Sequence, residues 1–257
     1  PIDSIVNNPA GGAFAVGSKF YAGYTGQSFI GGDSDDSNNS DDDNLSGFMA
    51  AVYDSTDKAR GGFIYQRFTE NDIRRNRVGT TMAMPAGKLT SIGATYFYNM
   101  DKELITDKTD KHHQINLGIT SILSKQMVFG IIANDILNTY EKEKTVGTVG
   151  IKYSLQDNLM VMSDVGYNYR GKFKTSNFYK FGAQVNFLDS FALRAGYKID
   201  KYENSKGYSA GLTWNAGKLA INIGYSDLKR NDNSLDSFIN KDQGYKEMNS
   251  SLVLKIK

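Results

Sequence analysis

The 257-residue sequence contains no cysteine, only three prolines and only two histidines, the adjacent His112 and His113. The absence of cysteine excludes disulfides, iron–sulfur clusters and zinc sites with cysteine ligands. Two neighbouring histidines leave little for histidine-based catalysis or metal binding. No glycine-rich phosphate loop follows a predicted strand and opens a helix. We therefore interpret the chain as non-enzymatic and expect it to need no cofactor.

An excess of charge and long apolar runs are also lacking. The 30 basic and 28 acidic residues leave a net charge of +2. Surfaces that bind nucleic acid are strongly basic, so no nucleic-acid partner is expected. The longest apolar stretch, 127–133, is far shorter than the about 20 residues of a membrane helix. A transmembrane β-barrel remains compatible with the mean hydropathy of -0.45, because its strands alternate apolar and polar residues.

Glycine and aromatic residues are abundant, with 26 glycines, 16 tyrosines and 14 phenylalanines. Many segments alternate apolar and polar residues, as in 191–199, where Phe191 and Leu193 share one face and Arg194 and Lys198 the other. The pattern predicts fourteen strands of the length that crosses a bilayer. They cover 17–28, 45–54, 59–69, 75–84, 88–98, 113–122, 126–135, 145–155, 158–169, 179–187, 191–199, 208–215, 219–226 and 245–257.

Tight turns alternate with longer polar loops from residue 84 onward, and the longer loops include 99–112 and 200–207. Aromatic residues cluster at the strand ends on both sides, as in the interfacial girdles of outer-membrane barrels. We predict an all-β, antiparallel transmembrane barrel of about 14 strands (12 to 14) over 17–257, in contact with bacterial outer-membrane lipid. Residues 1–16 precede it as an N-terminal plug or hatch segment, and the start at Pro1 suggests a processed N-terminus.

Glycines recur near the middle of the predicted strands on the inward face. A glycine in a strand indicates close approach by another segment, here 1–16, or space for curvature or a neighbouring ring. Both interpretations stay open. The glycines are Gly79, Gly93, Gly118, Gly130, Gly150, Gly166, Gly182, Gly196, Gly211 and Gly224.

The run Asn8, Pro9, Ala10 and Gly11 resembles the Asn-Pro-Ala motif of the FadL-type long-chain fatty-acid transporters and of the related PorV-type secretion barrels. The turn 85–88 and the strand after it also look like this superfamily. The resemblance implies a 14-stranded barrel with these four residues in an N-terminal plug. It also implies lateral release of hydrophobic substrates through a gap at a kinked strand. Gly61 and Gly62 are the candidate kink, with an ordinary bulge as the favoured alternative.

Charged residues on the inward face are mostly basic. They form either a wall that attracts anions or the carboxylate of an amphiphile, or an ion-pair network that includes Asp3 of the hatch. The residues are Lys152, Asp164, Lys180, Arg194 and Lys198.

The loop before the second strand is rich in carboxylates. These are weak Ca²⁺ candidates, because their spacing departs from that of an EF-hand, and a solvated external loop is the favoured interpretation. The residues are Asp33, Asp35, Asp36, Asp41, Asp42 and Asp43.

Two functions follow as hypotheses. The first is a FadL-like channel for small hydrophobic or amphiphilic compounds. The second is a PorV-like scaffold, a non-transporting barrel that binds another protein in a secretion, motility or envelope complex. The short loops favour the scaffold, whereas the Asn-Pro-Ala motif suits both. A passive porin is the third alternative, and it requires a water path beside the hatch.

Overall fold

The computed structural model describes residues 8–30, 45–55, 60–70, 73–137, 145–201, 204–230 and 244–256. Fourteen antiparallel strands form a closed barrel in which each strand pairs with its neighbours in sequence and β1 pairs with β14. The predicted strand number and all-β class are confirmed. The strands are β1 (Lys19–Ile30), β2 (Leu45–Asp54), β3 (Arg60–Glu70), β4 (Ile73–Pro85), β5 (Thr90–Glu103), β6 (Thr109–Ile122), β7 (Met127–Asn134), β8 (Val146–Gln156), β9 (Leu159–Asn168), β10 (Asn177–Phe187), β11 (Phe191–Asp200), β12 (Ser205–Ala216), β13 (Leu219–Arg230) and β14 (Gly244–Lys255).

Two short helices accompany the strands. A 3-10 helix, Pro9–Phe14, precedes β1, and one turn of α-helix, α1 (Phe173–Ser176), precedes β10. The described residues include no helix long and apolar enough to cross a membrane.

Several strands extend further toward the long-loop end than the alternation predicted, β5 and β6 most clearly. β5 continues to Glu103 and β6 begins at Thr109, so the expected loop 99–112 shrinks to 104–108. The ladder continues through the pair Asp101 and Asp110. Polar residues occupy the inward positions here, and Arg75 Nε donates to Asp101 Oδ1 at 2.6 Å. The apolar pattern therefore ends before the strand does.

The two faces of the barrel wall reverse the usual distribution of polarity. Inward residues such as Thr81, Thr95 and Asn99 are buried although polar, whereas outward residues such as Met82 and Ile119 are exposed although apolar. Hydrogen bonds satisfy the two threonine hydroxyls, since Thr95 Oγ1 donates to Thr81 Oγ1 at 2.9 Å and Thr81 Oγ1 donates to the Ala94 carbonyl at 3.3 Å. An apolar exterior around a polar interior is the pattern of a barrel in lipid.

Aromatic residues lie on the outward face near both strand ends. At the short-turn end, the Phe187 and Phe191 rings stack with centroids 5.5 Å apart, and Trp214 pairs in register with Phe191. Tyr96, Tyr167, Tyr197 and Tyr208 are exposed toward the long-loop end.

A small apolar cluster lies on the inward face of the wall between β2 and β5. Phe97 and Ile64 are buried against Ala51, with Tyr21 and Met49 around them. The Arg77 guanidinium lies 4.9 Å from the centroid of the Phe97 ring, which gives the ring a cationic partner.

We expect Phe97→Ala to lower the free energy of unfolding by about 3–5 kcal/mol, because it empties this cluster and removes the contact with Arg77. Phe63→Ala is the matched control, since Phe63 lies outward on β3 and is 69% exposed. Urea titration in detergent measures both changes. An equal loss in the two variants would contradict a luminal core around Phe97.

Candidate functional site

The N-terminal segment, residues 8–16, packs against the inward face of β4, β5 and β6 through its 3-10 helix. Asn8 caps the helix, because its Oδ1 accepts from the Ala10 N–H at 3.1 Å. The same side chain reaches the wall, where Nδ2 donates to Thr120 Oγ1 at 3.0 Å. Ser91 Oγ donates to the Ala10 carbonyl at 2.8 Å. One asparagine thus fixes both the turn and its place on the wall.

Three inward glycines form the seat of this helix. A Cβ at Gly93 would lie 2.5 Å from Ala10 N, and one at Gly130 would lie 3.1 Å from Asn8 Nδ2. At Gly118 the Cβ would collide with Asn8 Oδ1. Close approach by the N-terminal segment therefore explains these three positions.

Other inward glycines give space to neighbouring side chains, so both interpretations of the glycine pattern apply in different parts of the wall. Phe97 occupies the space at Gly79, Asp164 that at Gly150, and Phe178 that at Gly166.

The opposite wall, formed mainly by β10 to β14, lines open space. A cavity of about 470 Å³ lies toward the long-loop end, and a second of about 450 Å³ lies toward the short-turn end. Arg194 and Asn249 line both cavities, so the two adjoin. Gly182 and Gly211 contribute space to the first cavity, because a Cβ at either would have no described neighbouring atom closer than 3.4 Å.

The structure brings four of the five predicted inward charges to the first cavity. Asp164 on β9, Lys180 on β10 and Lys198 on β11 are register partners at one level of the wall. Arg194 lies at the junction with the second cavity. Lys152 shares their inward face and pairs in register with Met162, but it lines neither cavity.

Sequence reasoning missed several luminal residues. Lys19 and Lys255 line the second cavity, and Asn249 lines both. The inward position of Lys19 and Lys255 becomes evident only when the barrel closes, since they pair where β1 meets β14. The buried ion pair of Arg75 and Asp101 was also missed, because 99–112 was interpreted as a loop.

Gly61 and Gly62 lie at the start of β3, in strand pairs that run without a register shift to β2 and β4. Neighbouring backbone lies close on both sides, since a Cβ at Gly61 would lie 2.6 Å from the Thr81 carbonyl oxygen. Among the described strand pairs, a register shift lies instead between Ser154 and Gln156 on β8. A kink at Gly61 and Gly62 stays a prediction.

Two predicted features lie outside the described residues. They are the acidic loop with its six aspartates and the first seven residues, including Asp3. Among the residues that the structure describes, no group of three His, Cys, Asp or Glu side chains could hold a metal ion.

We expect Gly93→Val to displace the 3-10 helix, because its side chain would overlap Pro9 and Ala10. The chain has no cysteine, so a single Ala13→Cys reports on the seat, where Ala13 is 3% exposed. Maleimide should label the single variant Ala13→Cys slowly and the double variant Ala13→Cys/Gly93→Val at least tenfold faster. Gly182→Val is the control, since a Cβ there has its nearest neighbour at 3.5 Å. Equal labelling in all three proteins would contradict a fixed seat.

Comparison with known proteins gives likeness of structure without likeness of sequence. No protein-family model matches the chain, and no curated protein matches it. The monoaromatic hydrocarbon channel CymD superposes with a TM-score of 0.75 at 10% identity, over 100% of this chain and 93% of that one. The toluene transporter TodX of Pseudomonas putida gives 0.68 at 12% identity, over 98% and 92%. A FadL homologue of Pseudomonas aeruginosa gives 0.65 at 10% identity, over 99% and 94%. The chain therefore has the fold of the FadL-type outer-membrane channels along its whole length.

Proposed function

We propose that this protein is a channel of the bacterial outer membrane through which small amphiphilic compounds pass, along a cavity beside a fixed N-terminal plug. The observation that carries the proposal is the arrangement of the lumen. The 3-10 helix occupies the wall of β4 to β6, whereas the adjoining cavities lie along β10 to β14.

The cavities follow the strands over most of their length. On β12, the first cavity is lined from Gly207 and the second reaches Asn215, while the strand itself covers Ser205–Ala216. On β13 the lining residues extend from Ala220 to Leu228. Space along a strand from one end to the other is what passage across a membrane requires.

The lining suits compounds with an apolar body and a polar group. Met162, Leu228 and the glycine backbone form an apolar part of the first cavity, with Lys180 and Lys198 beside them. The second cavity carries amides and hydroxyls, among them Asn222, whose Nδ2 donates to Ser251 Oγ at 3.0 Å. Two proteins of similar fold are described as a monoaromatic hydrocarbon channel and a toluene transporter. Their descriptions support a channel for small compounds.

The second candidate is a barrel that binds another envelope protein. It is favoured by a hollow of about 600 Å³ on the outward face, lined by Tyr153, Phe181 and Tyr197 around Ala183 and Ala195. Such a barrel would hold its partner without conducting, so measurements of conductance separate the two candidates.

We expect Gly211→Phe to reduce single-channel conductance in planar bilayers severalfold, because the ring would project into the junction beside Arg194. Leu212→Phe is the matched control, since the neighbouring Leu212 faces outward and is 39% exposed. A wild-type protein that inserts but does not conduct would favour the scaffold. Equal conductance in the two variants would place the path elsewhere in the barrel.

The location in a membrane is tested by Trp214, the single tryptophan of the chain. It should be quenched most by phospholipids brominated close to the headgroup, because aromatic girdles lie at the interface. In the double variant F181W/W214F the tryptophan moves to the middle of β10, and bromines deep in the acyl chains should quench it most. The same depth profile in both proteins would contradict this orientation of the barrel.

A further inference from the structure

The residues that line the two cavities carry an excess of positive charge although the chain as a whole is nearly neutral. Five cationic side chains and one carboxylate line them. The cations are Lys19, Lys180, Arg194, Lys198 and Lys255, and the carboxylate is Asp164.

These cations lie at three levels along the wall. Lys180 and Lys198 are register partners toward the long-loop end, and Lys19 and Lys255 are partners at the short-turn end. Arg194 lies between them, four residues before Lys198 on β11, which is about 13 Å along a strand. The Debye length is about 8 Å at physiological ionic strength, so an anion midway between the levels of Lys198 and Arg194 lies within one Debye length of both.

Most of this charge is not cancelled by a bonded carboxylate. In the described part of the chain, Lys180 and Arg194 form no ion pair, whereas Lys198 Nζ lies 3.1 Å from Asp200 Oδ2. Asp164 neighbours Lys180 in register, yet its carboxylate lies over Gly150 on the other side of β9. The side chains of Lys180 and Arg194 are exposed on an inward face, so their charges meet the contents of the lumen.

The Arg194 guanidinium is oriented by its neighbours. Its Nε donates to Gln184 Oε1 at 2.8 Å, and Gln184 Nε2 donates to Asn186 Oδ1 at 2.8 Å. This chain of neutral amides fixes the guanidinium at the junction of the two cavities without neutralising it. Arginine is a general binder of anionic groups, because its planar fork matches carboxylate and phosphate oxygens.

On the wall that seats the 3-10 helix, the inward arginines of β4 are bonded to other side chains. Arg75 is bonded to Asp101 by two contacts, and Arg77 donates to Asn99 Oδ1 at 2.6 Å and to Gln114 Oε1 at 3.1 Å. These groups serve internal bonds among partly buried side chains. The cations of this wall thus face their bonding partners, whereas Lys180 and Arg194 face the open cavities.

Resting on the proposed function, we infer that the channel selects small organic anions, and that Lys180, Lys198 and Arg194 determine this selectivity. A narrow lumen with low-dielectric walls focuses the field of its charges, and rings of Lys and Arg make pores selective for anions. The anionic group passes from the level of Lys180 and Lys198 to Arg194, while the apolar body lies against Met162 and the glycine backbone. The positive pair Lys19 and Lys255 meets it at the short-turn end.

The test is the reversal potential of the full-length protein in planar bilayers under a tenfold KCl gradient, followed by replacement of chloride with benzoate. We expect chloride to permeate at least about threefold better than potassium at low salt, and benzoate to carry current. K180Q/R194Q/K198Q should bring the ratio to about one, and K180E/K198E should reverse it in favour of potassium. In about 1 M salt the wild-type preference should weaken, because the Debye length falls to about 3 Å.

Lys206→Glu is the control for the change of charge, since Lys206 pairs with outward Ile199 and lines neither cavity. It should leave the preference for chloride unchanged. A wild-type channel that conducts without preferring chloride would overturn the inference while leaving the channel intact. So would charge variants that fold, by heat-modifiable migration, and keep the wild-type ratio. A folded protein that inserts without conducting would overturn the proposed function itself.

Discussion

Closure of the hydrogen-bonded ladder between β1 and β14 is the constraint on which the rest of the molecule depends. The pairing runs from Lys19 with Lys255 to Ile30 with Gly244, so the sheet has no free edge. In lipid an unpaired backbone group costs several kcal/mol, and a β-sheet avoids that cost only by closing on itself. Closure also encloses a lumen, of which one side seats the 3-10 helix and the other lines cavities.

Glycine placement makes that division. At Gly93 and Gly118 the missing side chains admit the backbone and side chains of the N-terminal segment. At Gly182 and Gly211 a Cβ would have no neighbour closer than 3.4 Å among the described residues. The same residue type thus supports a tight contact on one wall and an opening on the other, and cations of the second wall line that opening.

Much of this could be predicted from the sequence, because a half-buried strand shows its period in its side chains. All fourteen strands and the inward parity of Lys180, Arg194 and Lys198 follow from that alternation. The ends of β5 and β6 could not be predicted, since Asp101 is stabilised inside by Arg75, a residue of another strand. The contributions of Lys19 and Lys255 to the lumen arise only when the first and last strands meet. Which glycines touch the 3-10 helix also depends on where that segment lies in three dimensions.

The open glycines have a consequence for how such a protein evolves. A methyl group added at Gly182 or Gly211 meets only ordinary van der Waals contacts, whereas one at Gly207 would strike the Asp227 carbonyl. Single codon changes at Gly182 or Gly211 can therefore narrow the first cavity stepwise without disturbing the barrel. The charged residues of the wall are separate positions and mutate independently. In the proposed channel, size exclusion and charge preference thus depend on separate positions of the wall, so each can change without the other.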